Sequence, residues 1–332
     1  MKEKKIERVT SDEESKILTI SIAAYNVDKY LENTLESLYK CKKIEKLDIL
    51  IINDGSTDAT EKIAKRYVEK NKGSFRLISK NNGGYGSTIN ESIRLAKGKY
   101  YKLLDGDDWF QTDNLDDYID FLEKNEESCV YSPYWEVYSD HKHLKKYNSN
   151  NKDKRIDFNS ICMHALSFKT SLLKDNNIKI TEKCFYTDAE YNLKALLYID
   201  GIAFFEKPLY CYRLGLEGQS VSNVGWLKHY KEHNKITLEI MKTYSEVKRK
   251  KDKIFMEDEL RRYIQKIYKI NFFVALELNN KKIWNDYILL EKEIKKSFPE
   301  FYSLANKKMK ILRLLHYKLL WIIKGHHNIS NK

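Results

Sequence analysis

Cysteine, proline and long apolar runs are all scarce in this 332-residue chain. The five cysteines, at 41, 129, 162, 184 and 211, show no paired or CxxC spacing. That excludes a disulfide frame or a cysteine zinc site and suits reduced thiols in a cytosolic protein. The eight histidines have no ligand spacing either, and His326-His327 reads as incidental. The strongest apolar run, Leu319 to Ile323, is five residues, far short of the roughly 20 that a membrane-spanning helix needs. Residues 1–16 are mostly charged and lack the apolar core of a signal peptide, so a mobile charged tail is expected there. No internal repeat or low-complexity tract is present.

Charge is abundant but uneven. The formal net charge is +12, yet residues 226–332 hold 25 Lys and Arg against 12 Asp and Glu, leaving 35 against 36 for everything before them. All of the surplus is C-terminal. Such asymmetry separates a part that does chemistry on a near-neutral surface from a part suited to an anionic partner.

Apolar segments alternate with amphipathic ones from the start. Ile17–Ala24, Leu47–Ile52, Phe75–Ser79 and Tyr100–Leu104 read as strands, the first two being continuous apolar runs of the kind buried on both faces. Between them, Lys29–Tyr39, a stretch ending near Lys70 and one ending at Ala96 read as helices. This order predicts an α/β fold with a mostly parallel, helix-covered sheet whose strand ends share one edge. Further on, Leu115–Lys124 and Tyr186–Tyr198 read as helices. Cys129–Tyr138, Met163–Phe168 and Ile202–Arg213 read as strand material, the last interrupted by Pro208, and His141–Arg155 reads as an exposed loop. From Trp226 the pattern is helical with a single proline, Pro299, and a domain boundary is expected near Gly225.

The strand ending at Leu104 delivers Asp105, Asp107 and Asp108 within four residues. Adjacent acids repel, so the cluster lowers stability unless a cation, a cap or water offsets it. Capping of the next helix would explain Asp107 or Asp108 without any ligand. The position favours a ligand, because open α/β sheets bind at the carboxyl ends of their strands, and hard carboxylate oxygens there suit Mg²⁺ or Mn²⁺ holding a diphosphate. Asp54, in Asn53-Asp54-Gly55-Ser56, ends the second strand on the same edge and is a candidate to accept from a nucleobase N–H, or else a local turn former. Gly83-Gly84-Tyr85-Gly86 follows a strand and opens a helix, but Ile89 stands where a nicotinamide fingerprint needs glycine. Flexible glycines beside a phosphate pocket are the expected use.

Six segments in order resemble the family 2 glycosyltransferases of the GT-A fold, the type that builds bacterial polysaccharide and cell-surface glycans. They are SIAAYNVDKYLENTLESL, IINDGSTDAT, NNGGYGSTIN, KYYKLLDGDDWF, YTDAEYNLKALLY and LYCYRLGLEGQSVS, spread over Ile17 to Ser222. The resemblance implies a GT-A catalytic domain over 17–225 followed by a basic helical region over 226–332. Within that domain it implies a nucleoside bed formed by Ala24, Tyr25 and Asp54. It also implies a DxD motif at Asp105-Gly106-Asp107, with Asp105 near the ribose and Asp107 holding Mn²⁺ or Mg²⁺ against the diphosphate. Asp108 would face the sugar or brace the loop, Asp188 would be the general base, and Arg213, Gln219 and Ser220 would close over the diphosphate.

Two departures matter. Ala23 stands where the family usually has proline, and Thr187-Asp188 stands where it more often has Glu-Asp, which leaves Glu190 as a competitor for the base. Asp188 also fits a helix N-cap. Trp109, Phe110 and Trp135 read either as the floor of a sugar site or as core.

The expected reaction is transfer of a hexosyl or N-acetylhexosaminyl group, with inversion, from a nucleotide-diphosphate donor, UDP being favoured by Asp54. The acceptor is a hydroxyl of a glycan or a lipid-linked sugar. Residues 307–324 mix Lys, Arg and His with Ile, Leu and Trp and read as a helix lying on an anionic membrane surface, or as one packed on the protein through Leu312, Leu315, Leu319 and Ile322. The expected location is cytoplasmic and peripheral to the membrane. A sugar-1-phosphate nucleotidyltransferase would want an arginine-containing glycine loop after the first strand, where Tyr25-Asn26-Val27-Asp28 stands instead. A nucleic-acid-binding module is disfavoured because the C-terminal lysines alternate with aliphatic residues and no reader motif is present.

Overall fold

A computed structural model describes residues 15–146, 162–215, 223–278, 280–315 and 317. Its first half is built from β1 (Leu18–Ala24), α1 (Asp28–Tyr39), β2 (Leu47–Asn53), α2 (Thr60–Lys70), β3 (Phe75–Ser79), α3 (Tyr85–Leu95) and β4 (Tyr100–Asp105). Next come β5 (Trp109–Phe110), α4 (Thr112–Lys124), β6 (Cys129–Tyr131), β7 (Tyr134–Val137), β8 (Lys142–Lys145), β9 (Leu166–Lys169) and α5 (Thr170–Asp175). Then follow α6 (Thr187–Leu196), β10 (Ile202–Phe204) and β11 (Tyr210–Arg213). The helices α7 (Asn223–Lys250), α8 (Glu257–Glu277), α9 (Lys281–Ser297), α10 (Pro299–Ser303) and α11 (Lys307–Leu314) complete the chain.

Seven strands form the main sheet in the order β10-β6-β9-β4-β1-β2-β3. β1 is central and pairs in parallel with β2 and β4, while β9 runs antiparallel to β4 and β6. The apolar runs explain the centre. Every residue of β2 and all but Ala23 of β1 are buried, and each buried Ile or Leu there contributes about 1.5–3 kcal/mol. Parallel pairing in register places Ala23 opposite Asp105 and Ala24 opposite Asn53, so the three strands end side by side. A four-stranded sheet, β5-β11-β7-β8, lies beyond the end of β4 and carries Arg213 back to the acids.

The expected loop over His141–Arg155 is corrected at its start, where Lys142–Lys145 pairs antiparallel with β7 as β8. Its side chains are almost wholly solvated, so no apolar alternation marked it as a strand. The rest of that stretch, 147–155, lies outside the described residues, as do residues 1–14 of the expected tail.

α7 begins at Asn223 and packs on α6 and α8. His233 of α7 meets Asn271 of α8 at 2.6 Å in the buried seam between them. α11 docks through Met309 and Leu312, both buried, and through Arg313, whose Nε donates to buried Glu291 at 2.7 Å. Leu319 and Ile322 of the expected amphipathic stretch lie outside the described residues. No helix among the described residues is long and apolar enough to cross a membrane.

Candidate active site

The turns after β1 and β2 are stitched together before any ligand is considered. Asn26, held at φ 52°, accepts from the Thr57 N–H at 2.8 Å, and its own N–H donates to Ser56 Oγ at 3.1 Å. Val27 N–H donates to Thr60 Oγ1 at 2.9 Å. Ala24 is buried and offers only backbone, its carbonyl accepting from Asp54 N–H at 2.9 Å, whereas Tyr25 is 52% exposed at the rim. A flat, open ring at that point can stack on a nucleobase.

Asp54 sits on the expected edge but is deeply engaged. Its Oδ1 accepts from Lys80 Nζ at 2.6 Å and Gly83 N–H at 2.9 Å, and its Oδ2 accepts from Gly84 N–H at 2.8 Å. Only 3% of the residue is exposed. The carboxylate therefore moulds the glycine-rich loop, and a base N–H would have to share an oxygen already taken. The glycines serve close approach, which corrects the expectation of flexibility. Gly84 is left-handed at φ 78°, and a Cβ on Gly86 would stand 2.1 Å from the Thr181 carbonyl oxygen.

At the end of β4 the three acids have three different surroundings. Asp105 is half-buried and accepts from Tyr85 Oη at 2.7 Å, with His164 Nε2 3.8 Å away. Gly106 donates to the Ala23 carbonyl at 3.1 Å, and a Cβ there would meet that oxygen at 2.9 Å. Asp108 is 1% exposed and saturated, accepting from Tyr210 Oη at 2.5 Å and Arg213 N–H at 2.7 Å. Neither Asp107 nor Asp108 caps a helix, since α4 starts only at Thr112 behind Gln111. Asp107 remains half-buried, and burial together with the charge of Asp105 pushes its carboxyl up to about 6. A carboxyl so destabilised in its charged form beside a second acid fits a divalent cation, which would relieve the repulsion. Donor atoms of Asp105, Asp108 and His164 also converge within 4.8 Å. Asp105 and Asp108 both already accept hydrogen bonds there, and Asp107 lies outside that converging set.

Arg213 lies beside this loop. Its Nε donates to the Asp107 carbonyl at 2.8 Å, and its guanidinium lies 4.6 Å from the Trp109 ring centre and 5.1 Å from that of Tyr30. Trp109 thus serves the arginine, Phe110 is core, and Trp135 carries Lys142 at 4.5 Å. Gln219 and Ser220 lie outside the described residues.

Asp188 occupies the first turn of α6, whose N-cap is Tyr186 in the left-handed region at φ 63°. It is therefore not the cap. Burial raises its carboxyl above the usual carboxylate range, Asp105 adding to the effect and the Ala189 N–H opposing it. Glu190 has other work: it is fully buried, paired with Lys194 at 2.6 Å, and accepts from Thr181 N–H at 3.0 Å. Of the two acids, Asp188 is the more accessible.

His164 is the residue that sequence reasoning missed. It sits on a one-turn 3₁₀ segment, Met163–Ala165, entering β9, is 7% exposed, and packs its ring 4.1 Å from Tyr212 and 4.5 Å from Tyr210. Burial works against its charged form, but Cys162, 3.2 Å from Nδ1, and Asp105 more than offset it and hold its pKa well above the ordinary value. Tyr85 and Tyr210, which fix Asp105 and Asp108, were equally invisible. Among the described residues all five cysteines are free thiols.

Residues 19–177 match the glycosyl transferase family 2 profile. Chondroitin synthase of Escherichia coli is 36% identical over 132 residues, 40% of this chain and 19% of that protein. The poly(ribitol-phosphate) beta-N-acetylglucosaminyltransferase TarS of Staphylococcus aureus is 25% identical over 212 residues, 62% of this chain and 37% of TarS. The chain spans less than two thirds of the length of the curated relatives it matches. The crystal structure of TarS residues 1–349 with UDP-GlcNAc superposes with a TM-score of 0.64 at 21% identity, covering 91% of this chain and 86% of that one. The mannosyltransferase PcManGT of Pyrobaculum calidifontis, solved with GDP-Man and Mn²⁺, gives 0.51 at 14% identity, covering 96% and 86%. These likenesses establish the GT-A type fold.

Proposed function

We propose that the chain, whose residues 19–177 match the glycosyl transferase family 2 model, is a glycosyltransferase of that family that transfers a sugar, with inversion, from a nucleotide-diphosphate donor to an acceptor hydroxyl. The observation that carries the reading is the meeting of three parallel strand ends, bearing Tyr25, Asp54 and Asp105 to Asp107, with a half-buried Asp188 close enough for the charge of Asp105 to act on it. A uridine donor is supported by the UDP-GlcNAc bound to TarS, and a divalent ion by the Mn²⁺ in PcManGT.

In this reading Tyr25 and the turn fixed by Asp54 bed the nucleoside, Asp105 approaches the ribose, and Asp107 with Asp105 would hold Mn²⁺ or Mg²⁺. When bound, the ion supplies charge that stabilises the departing diphosphate. Arg213, rigidly held by Trp109 and Tyr30, adds positive charge on the same leaving group. Asp188 takes the proton of the acceptor hydroxyl as its oxygen bonds to the anomeric carbon and the bond from that carbon to the phosphate oxygen breaks. Its raised pKa suits a base that must hold a proton transiently. One carboxylate acting from the face opposite the leaving group gives a single displacement, hence inversion. The division into a tail over 1–16, a transferase unit over 17–225 and a basic helical region over 226–332 belongs to the same proposal, as does approach to a lipid-linked acceptor at a membrane surface.

The test is a thermal-shift titration with UDP and GDP, with and without Mn²⁺, on wild type and Asp107→Asn. A ligand that binds only the folded state raises the melting temperature. A metal-dependent rise with UDP that disappears in Asp107→Asn is expected. No rise with any nucleotide in wild type would remove the donor site and the reading with it.

A further inference from the structure

We infer that Phe185, Tyr186, Trp226 and His229 form an aromatic ledge that receives a pyranose ring of the acceptor beside Asp188. The inference rests on the transferase reading and adds which residues hold the sugar ring of the second substrate. Phe185 is 44% exposed, yet it is held as firmly as a core residue. Its ring stacks on His229 with centres 3.7 Å apart and planes 24° from parallel. Its N–H donates to Glu232 Oε2 at 2.6 Å, and the other oxygen of that carboxylate meets His229 Nδ1 at 2.7 Å.

Next to it Tyr186 stacks on Trp226 at 4.4 Å and 7°, and buried His233 meets both of those rings edge-on, each at 5.2 Å. Stacking on His229 covers one face of the Phe185 ring. Val224 and Leu227, 76% and 51% exposed, lie on the same first turns of α7 that carry Trp226 and His229. Asp188 follows Tyr186 by two residues, and its charge reaches the Tyr186 hydroxyl.

A rigid aromatic face suits the C–H face of a sugar ring. Asp188, two residues from Tyr186, is the group that takes the acceptor's proton in the proposed reaction, so the ring assigned to the ledge is the acceptor's. An acyclic polyol has no such flat apolar face to present.

The experiment is saturation-transfer NMR on the full chain with UDP and Mg²⁺, using methyl hexopyranosides and methyl N-acetylhexosaminides as probes and ribitol as the acyclic comparison. Saturation is expected to reach the axial ring protons of at least one pyranoside and not ribitol. Phe185→Ala should weaken that pyranoside roughly fivefold to tenfold, the range of one aromatic contact, while Phe185→Trp retains it. A UDP-induced melting shift in Phe185→Ala, matching wild type, shows that the variant is folded. Unchanged pyranoside affinity in Phe185→Ala, or preference for ribitol, overturns the ledge. So does a wild type that responds to UDP but binds no pyranoside. A wild type that does not respond to UDP overturns the transferase reading itself and the ledge with it.

Discussion

Replacing Lys102 with methionine should flatten the pH dependence of stability in the alkaline range. Lys102 lies on β4 with no exposure, and its Nζ donates to the carbonyls of His164 at 2.8 Å and Leu166 at 3.2 Å, on either side of the turn into β9. Burial pulls its pKa down to about 7, whereas the unfolded chain keeps it near 10.4. Between those values the unfolded state binds one proton more than the folded state, so stability rises with pH through the window and is level below it. At about 1.4 kcal/mol per pH unit, raising the pH from about 7.5 to about 9.5 should stabilise wild type by roughly 2–3 kcal/mol through this group. Lys102→Met abolishes that gain. It also strands two carbonyls at about 1–3 kcal/mol each, so absolute stability at one pH is a poor readout and the slope is the decisive one. Urea unfolding followed by circular dichroism at both pH values, on both proteins, measures it. Equal slopes would mean that Lys102 is charged in the folded state, and the argument fails.

Asp188→Asn should lower turnover by about 10²–10⁴ while leaving the UDP-induced melting shift intact. In wild type the acid limb of the rate profile should lie above the ordinary carboxylate range, because burial raises that group. A limb at an ordinary carboxylate pKa would point to another base. Asp54→Ala removes the acceptor of Lys80, Gly83 and Gly84 and should cost about 2–4 kcal/mol and weaken UDP binding. Wild-type stability in that variant would show that the loop holds its own shape. Arg313→Leu leaves Glu291, 1% exposed, with tyrosine hydroxyls from Tyr287 at 3.0 Å and Tyr317 at 3.1 Å but without its cation. The expected loss is about 3–5 kcal/mol, measured by calorimetry; a change under about 1 kcal/mol would mean that α11 contributes little to holding the helical region together.

Local pattern carried much of the architecture. The buried runs of β1 and β2 announce themselves because a strand covered on both faces must be apolar at nearly every position. The acids of β4 were legible for the complementary reason, since charges directly after such a run can only sit at a strand end. β8 escaped because Lys142–Lys145 is solvated and is a strand only through its backbone pairing with β7. Gly86 looked like flexibility because nothing local shows that Thr181 will pack against it.

What the sequence by itself determined is the order of the first four strands and their helices and the edge on which Tyr25, Asp54, Asp105 and Asp107 appear, because these depend on residues within a few positions of one another. Only the tertiary structure decided how the acids differ. Asp108 is saturated by Tyr210 and Arg213, more than 100 positions away, Asp105 faces His164 from a turn that enters by an antiparallel strand, and Glu190 is withdrawn from the cleft by Lys194 and Thr181. The charge state and freedom of a carboxylate are set by which groups surround it in space, and the path of the chain that brings them there leaves no mark in the local pattern.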